Sequence, residues 1–255
     1  MIKISVLCSG SKGNATYLEI NNSKILVDVG YSERYISKSL KQFGVKLNEV
    51  THVFITHTHT DHVSALDKII KKSNAKVYIT DTMLNELDYL NNYDNIEELE
   101  KEIIFDDIII TPISSSHDKP DSKNFIIEYN NKKVVYITDT GYIHSKYFKL
   151  LKDADVYLIE SNHDEEMLIN GPYPEWLQQR VLSDEGHLSN TQAGFYLSKF
   201  ITNKTKEVIL LHLSEKNNTP DKALSTVKDH LLNNDIIFDK IVCSKQDDIT
   251  NVILE

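Results

Sequence analysis

The sequence predicts a strand-rich α/β protein whose sheet structure is partly antiparallel. Three observations predict it: short β-branched runs recur along all 255 residues, amphipathic stretches alternate with them, and the gaps between the early runs are too short for crossover helices. With 40% hydrophobic and 26% charged residues the chain has the composition of a folded globular protein, which excludes disorder, collagen-like repeats and a bare coiled coil. A single domain over residues 1–255 is expected.

The expected strands are Ile2 to Leu7, Ala15 to Ile20, Lys24 to Val29, His52 to Ile55, Lys76 to Thr80, Ile108 to Ile113, Phe125 to Tyr129, Lys133 to Thr138, Val156 to Glu160, Glu207 to Leu211 and Lys240 to Cys243. Asn21-Asn22-Ser23 and Asn130-Asn131-Lys132 read as hairpin turns, so a purely parallel, doubly wound sheet does not fit. Helices are placed by caps. Ser32 opens one that stops at Gly44, and Thr219-Pro220-Asp221 opens another running to about Leu232. Further helices are expected over 62–73, 82–92, 145–152 and 190–202. The longest irregular stretch, 161–190, is more often functional than idle at such a length.

No apolar run approaches the roughly 18 residues of a membrane helix, and Met1 to Leu7 is too short for a signal-peptide core. A cytoplasmic protein with no membrane partner is expected. Cys8 and Cys243 lie in or beside apolar runs and are expected to be reduced, buried thiols. The 28 Lys and Arg against 38 Asp and Glu, a net charge of −10, argue against holding nucleic acid by a broad basic surface.

Ten histidines are the unusual figure. Val53-Phe54-Ile55-Thr56-His57-Thr58-His59-Thr60-Asp61-His62 is a strand running into a tight loop that carries three histidines and an aspartate. His57 and His59 point the same way in extended chain, and the following turn can bring Asp61 and His62 to the same point. Such a pattern arises by chance in roughly one sequence of this composition in a thousand. Imidazole and carboxylate suit zinc, manganese or iron, and the absence of cysteine favours an open catalytic site over a closed structural one.

His117, Asp139 and His212 each stand at or just beyond the C-terminal end of an expected strand, where loops converge. Seven ligands imply two divalent metal ions: His57, His59 and His117 on one, Asp61, His62 and His212 on the other, with Asp139 and a hydroxide bridging. Asp61 is a candidate catalytic residue as well as a ligand.

This set resembles the metallo-β-lactamase fold hydrolases over essentially the whole chain. The resemblance implies an αββα sandwich of two mixed β-sheets flanked by helices, with a dinuclear site. Asp28, in Ile25-Leu26-Val27-Asp28-Val29-Gly30, matches the aspartate that closes an early strand in this family, implying that it orients a ligand. Four segments look like the YycJ/WalJ group of small bacterial exonucleases: Cys8-Ser9-Gly10-Ser11-Lys12-Gly13-Asn14, Glu160-Ser161-Asn162-His163-Asp164, Ser183 to Asn190, and Leu211 to Pro220. That resemblance implies hydrolysis of DNA phosphodiester bonds as a 5′–3′ exonuclease.

Ser9, Ser11, Asn14, His163 and His187 are the candidate substrate contacts. The loop from Ser9 to Asn14 offers N–H groups, hydroxyls and an ammonium to a phosphate, although a polar hairpin turn gives the same string. His187, in Gly186-His187-Leu188-Ser189, resembles the histidine that RNase Z-like phosphodiesterases place opposite the metals. It can protonate a leaving oxygen near neutral pH. Trp176 and Tyr173 can stack on a base or plug the core. Lys12, Lys119 and Lys216 can supply local positive potential, while His52, His144 and His230 are expected to have structural or solvated places.

The stretch between Asp139 and His212 leaves no room for the inserted domain of RNase J-like relatives, and no protruding arm of the RNase Z kind is evident. His59 stands where flavodiiron proteins carry Glu, and the lack of an export signal argues against a β-lactamase. A small-molecule phosphodiesterase or a thioester or lactone hydrolase on the same site is the alternative, and a metal scaffold without turnover is a further one.

Overall fold

The computed structural model of the protein describes residues 1–254. The chain divides into two compact units, the first from residues 1–112, 119–123 and the segment from 245 onward, the second from residues 113–118 and 124–244. The described residues form two mixed sheets of seven strands each, with helices at their flanks.

In the first unit β1 (Ile2–Cys8), β2 (Ala15–Ile20), β3 (Ser23–Val27), β4 (His52–Phe54), β5 (Lys76–Ile79), β6 (Ile96–Glu98) and β14 (Thr250–Leu254) line up in the order β14-β1-β2-β3-β4-β5-β6. Pairing is antiparallel from β14 to β3, by hairpins from β1 to β2 and from β2 to β3, as at the turn with Asn21 at φ 52°, and by the return of the far end of the chain for β14. It is parallel from β3 to β6, where helices make the crossings. The first crossing is α1 (Glu33–Gln42), capped by the Ser32 side chain accepting from the Tyr35 N–H, with Ile36 and Leu40 buried.

The helix expected over 62–73 is broken into α2 (Thr60–Val63) and α3 (Leu66–Lys72). At the break the Ala65 N–H donates to the Val29 carbonyl and the Ser64 hydroxyl to that of Gly30, so the chain is tied to the end of β3. The helix expected over 82–92 is α4 (Asp81–Glu86) followed by a 3-10 turn. β7 (Ile103–Phe105) and β8 (Ile108–Ser114) form a hairpin on Asp106 and Asp107, both at positive φ.

In the second unit β9 (Lys123–Tyr129) and β10 (Lys132–Ile137) form a hairpin turning on Asn130 and Asn131, at φ 48° and 62°, the turn read from the sequence. β11 (Val156–Glu160), β12 (Glu207–Leu211) and β13 (Ile241–Cys243) follow in parallel. The second sheet has the order β13-β12-β11-β10-β9-β8-β7. Its helices are α5 (Phe148–Leu151), α6 (Glu165–Ile169), α7 (Glu175–Leu182), α8 (Asn190–Phe200) and α9 (Pro220–Leu232). Ser189 and Gln192 form a capping box at α8, and Thr219 caps α9 with Pro220 in its first turn.

The stretch 161–190, expected to be irregular, therefore holds two short helices, the first capped by Asp164. β6, β7 and β14 lie outside the strands expected from the sequence.

Each unit has its own apolar core, around Leu26, Val53, Leu66 and Ile69 in the first and Ile137, Ile159, Leu197 and Leu210 in the second. His52 stacks on Phe105 with ring centroids 3.7 Å apart, and burial pushes its imidazole down to about 4. Cys8 is buried as expected and Cys243 only half-buried, and burial raises both thiols to about 12. Among the described residues no helix is long and apolar enough to cross a membrane.

Candidate metal centre

Asp28, Asp139 and His212 share one backbone peculiarity. Each comes just after a strand, β3, β10 or β12, and each is left-handed, at φ 59°, 47° and 55°. Few non-glycine residues tolerate this conformation, and where such strain persists the surroundings enforce it.

In the first unit Asp28, with 0% exposure, organises the loop after β4. Its Oδ1 accepts from the Thr56 N–H at 2.9 Å, and its Oδ2 accepts from the Thr56 hydroxyl and from His62 Nδ1, both at 2.8 Å. The Thr56 oxygen in turn lies 3.0 Å from His57 Nδ1. Asp28 and Thr56 thus hold His57 and His62 by Nδ1 and leave Nε2 as the ligating atom of each. Burial lifts the Asp28 carboxyl above its ordinary range against the opposing pull of His62 and Thr56.

The four donors fall into two pairs. His57 Nε2 is 3.0 Å from His59 Nδ1, and His62 Nε2 is 3.7 Å from Asp61 Oδ2. Two nitrogens on one tetrahedral zinc, at 2.0–2.1 Å from it, stand roughly 3.3 Å apart, so the first pair is already near a shared-ligand spacing. Gly30 permits the loop to sit here, because a Cβ at that position would lie 1.5 Å from the Asp61 carbonyl oxygen.

In the second unit Asp139, Glu160, His187 and His212 offer ligand atoms within 4.8 Å of one another. Glu160, the last residue of β11, has 0% exposure and accepts from His187 Nδ1 at 2.7 Å, His212 Nδ1 at 2.9 Å and the Thr140 N–H at 3.0 Å. Asp139 Oδ1 is 3.1 Å from His212 Nδ1 and 3.3 Å from His187 Nδ1. The His117 ring centroid is 5.3 Å from that of His187, with Nδ1 3.3 Å from the Gly186 carbonyl oxygen.

Burial opposes ionisation of Glu160, but His187 and His212 outweigh it and hold the carboxyl below its usual range. Burial likewise opposes protonation of His187 and His212, and the carboxylates of Asp139 and Glu160 reverse this, raising both. For His117 burial prevails and lowers it.

Nitrogen and carboxylate donors without thiolate suit zinc, manganese or iron. His57, His62 and His212 have Nδ1 held by a hydroxyl or a carboxylate, the arrangement that turns Nε2 to a cation. The donor sets of both units therefore fit divalent metal.

The sequence assigns neither Glu160 nor Thr56 a role in the site. Glu160 had a signal, an acid closing the apolar run Val156-Tyr157-Leu158-Ile159 as Asp28 closes Ile25-Leu26-Val27. Thr56 had none.

The expected substrate contacts are placed differently. Of the loop's N–H groups, Ser9 donates to the Lys245 carbonyl, Gly10 to Asn14 Oδ1, Lys12 to Gln246 Oε1, Gly13 to the Gly10 carbonyl and Asn14 to that of Asp61. These are spent within the protein, so the cradle expected from the sequence is not formed by them. Asn14 is buried, and its amide lies 3.3 Å from Asp61 Oδ2 and 3.0 Å from His62 Nε2, which makes it a brace for the donor loop.

Ser9 is buried and Ser11 exposed. The His163 ring is enclosed, neither nitrogen has a hydrogen-bond partner, and burial pushes it down to about 4. It is an inward-facing neutral ring, not a surface that substrate reaches. His187, by contrast, has a side chain 19% exposed. Trp176 is 66% exposed on α7 and plugs nothing. Lys119 pairs with Glu86 at 2.8 Å, and Lys12 and Lys216 are exposed.

Mixed sheets with histidine and carboxylate donors at their strand ends define a metallo-β-lactamase fold, metal-dependent hydrolase. Residues 23–213 match the family model of the β-lactamase superfamily domain, and the chain belongs to that superfamily.

Within it, the chain is 35% identical over 233 residues to the exodeoxyribonuclease YycJ of Bacillus anthracis, covering 89% of this chain and 88% of that one. It is also 35% identical over 241 residues to the exodeoxyribonuclease WalJ of Streptococcus pneumoniae serotype 2, covering 92% and 90%. The crystal structure of the metallo-β-lactamase fold protein YhfI from Bacillus subtilis superposes with a TM-score of 0.75 at 16% identity, covering 98% of this chain and 99% of that one. The group resemblance read from the motifs is borne out.

Proposed function

We propose that this hydrolase is a phosphodiesterase that degrades DNA from its ends, in the 5′–3′ direction and in the cytoplasm. Its metal ligands in this reading are His57, His59 and His117 for one divalent ion and Asp61, His62 and His212 for a second, with Asp139 shared. We take the two compact units as halves of one domain. Zinc or manganese, and also iron, suits the donors. Two such ions, when bound, supply the Lewis acidity that makes water a nucleophile at neutral pH and that offsets charge building up on phosphorus.

The chain's own residues do the rest. Asp28 and Thr56 keep His57 and His62 in one tautomer, and Asn14 steadies Asp61, which orients the attacking water in this reading. Glu160 grips His187 by Nδ1, so Nε2 is the atom directed to a leaving alcohol oxygen, to which it delivers a proton. The observation that carries the reading is this partly exposed histidine held by a fully buried carboxylate beside Asp139. Hydrolysis of a poor alkoxide leaving group requires an acid there. A thioester, whose thiolate leaves without a proton, gains less from one, although the net charge of −10 favours a small substrate.

The test is digestion of end-labelled single-stranded and duplex DNA by metal-stripped protein resupplied with manganese or zinc, with His187→Ala alongside. Stepwise shortening from the 5′ end, lost in the variant, is expected. Intact DNA with cleavage of bis-p-nitrophenyl phosphate or of a thioester would leave the hydrolase and remove the nuclease.

A further inference from the structure

We propose that the outer face of α1 is a track for the phosphate backbone of a nucleic acid strand, contacted by Arg34, Lys38 and Lys41. The inference rests on the nuclease reading and adds the surface by which this acidic protein holds its substrate. Arg34, Lys38 and Lys41 stand at i, i+4 and i+7, which places them on one face of the helix, opposite the buried Ile36 and Leu40. All three are exposed, and so are Lys68, Lys71 and Lys72 of α3. Helices α1 and α3 together carry six cations and only two acids, Glu33 and Asp67, on a chain whose net charge is −10.

Both acids are already paired, Glu33 with Lys72 and Asp67 with Lys71, each at 2.8 Å. A groove of about 510 Å³ is lined by Glu33, Arg34, Ser37, Lys38, Lys41 and Lys72. Charge is therefore segregated here, and positive potential on an otherwise acidic surface selects an anionic partner.

Spacing and position favour nucleic acid over other anions. From Arg34 to Lys41 the helix advances about 10 Å at 1.5 Å per residue, and a duplex presents one phosphate per strand for about every 3.4 Å of its axis, so a stretch of that length offers the three cations several phosphates of one strand. The helix begins where the donor loop ends, for the Ser64 hydroxyl donates to the Gly30 carbonyl at 2.6 Å and lies 3.2 Å from that of Tyr31, just before the Ser32 cap. The N-terminal end of α1 thus lies beside the loop that carries Asp61 and His62. An anionic membrane is a poorer partner, because α1 turns its apolar residues inward and has none on the outer face to insert.

The test compares wild type with the triple variant Arg34→Gln, Lys38→Gln, Lys41→Gln, which keeps good helix formers in place. Metal-loaded proteins are titrated against fluorescein-labelled, hydrolysis-resistant phosphorothioate DNA over roughly 50–200 mM salt. At least a tenfold loss of affinity is expected, with the slope of log affinity on log salt shallower by about two to three. Equal affinity and slope, or binding of phosphatidylserine vesicles in place of DNA, would overturn the track.

Hydrolysis of bis-p-nitrophenyl phosphate, too small to span the groove, reports the metal site separately. Wild type inactive both on it and on unmodified DNA overturns the phosphodiesterase reading itself. A variant that cleaves it normally and still binds DNA like wild type overturns only the track.

Discussion

At the residue scale, the donor loop depends on a threonine that ligates nothing. Thr56 accepts from His57 Nδ1 and donates to Asp28, so its oxygen transmits the position of a buried carboxylate to a ligand. Thr56→Val keeps the shape and deletes both bonds. It should weaken metal binding by about 10- to 100-fold with an unchanged circular dichroism spectrum, and Thr56→Ser should restore most of the loss. Competition with a chromophoric chelator measures this, and wild-type affinity in Thr56→Val would remove the relay. The asymmetry in what the sequence discloses is physical. His57, His59, Asp61 and His62 are legible because strand and loop spacing alone converges them. Thr56 and Asn14 act through hydrogen bonds to residues 28 and 47 positions away, which no local pattern records, and Glu160, bonded to a residue 27 positions on, shows locally only as an acid that closes an apolar run.

At the scale of elements, the strand ends do the positioning. Most strands were legible from β-branched runs and most helix starts from caps, since these are local effects. What the sequence hides is where an element breaks for the site: the helix expected over 62–73 splits at Ser64 and Ala65, and β3 ends at Val27 so that Asp28 can turn left-handed. A left-handed backbone inverts the usual ranking of glycine and alanine. Elsewhere glycine is less stable than alanine by roughly 0.5–1 kcal/mol, whereas in this region a Cβ costs about 1–2 kcal/mol. Asp139→Gly should therefore unfold at higher urea than Asp139→Ala, by about 1 kcal/mol when both are measured in chelator. The two variants lack the same carboxylate, so the difference isolates the backbone. An alanine variant equal to or more stable than the glycine variant would show that φ 47° at Asp139 carries no strain.

At the scale of the whole molecule, each unit already contains a buried apolar core of its own, and the donors lie at strand ends outside those cores. Fold and metal should therefore be separable, unlike in a small zinc domain whose folding free energy is its metal binding. Chelation should abolish hydrolysis and leave the far-ultraviolet spectrum unchanged. The loss of stability should equal the linkage contribution alone, about 2.7 kcal/mol for a site previously held at a hundred times its dissociation constant. Each ion bound only by the native state adds its own such contribution, so the drop in melting temperature should grow with the logarithm of the free metal initially present. Collapse of the spectrum on chelation would mean that metal is part of the scaffold. That result would favour a structural role over turnover, whereas a spectrum that persists while activity vanishes and returns with manganese or zinc assigns the metal to the reaction.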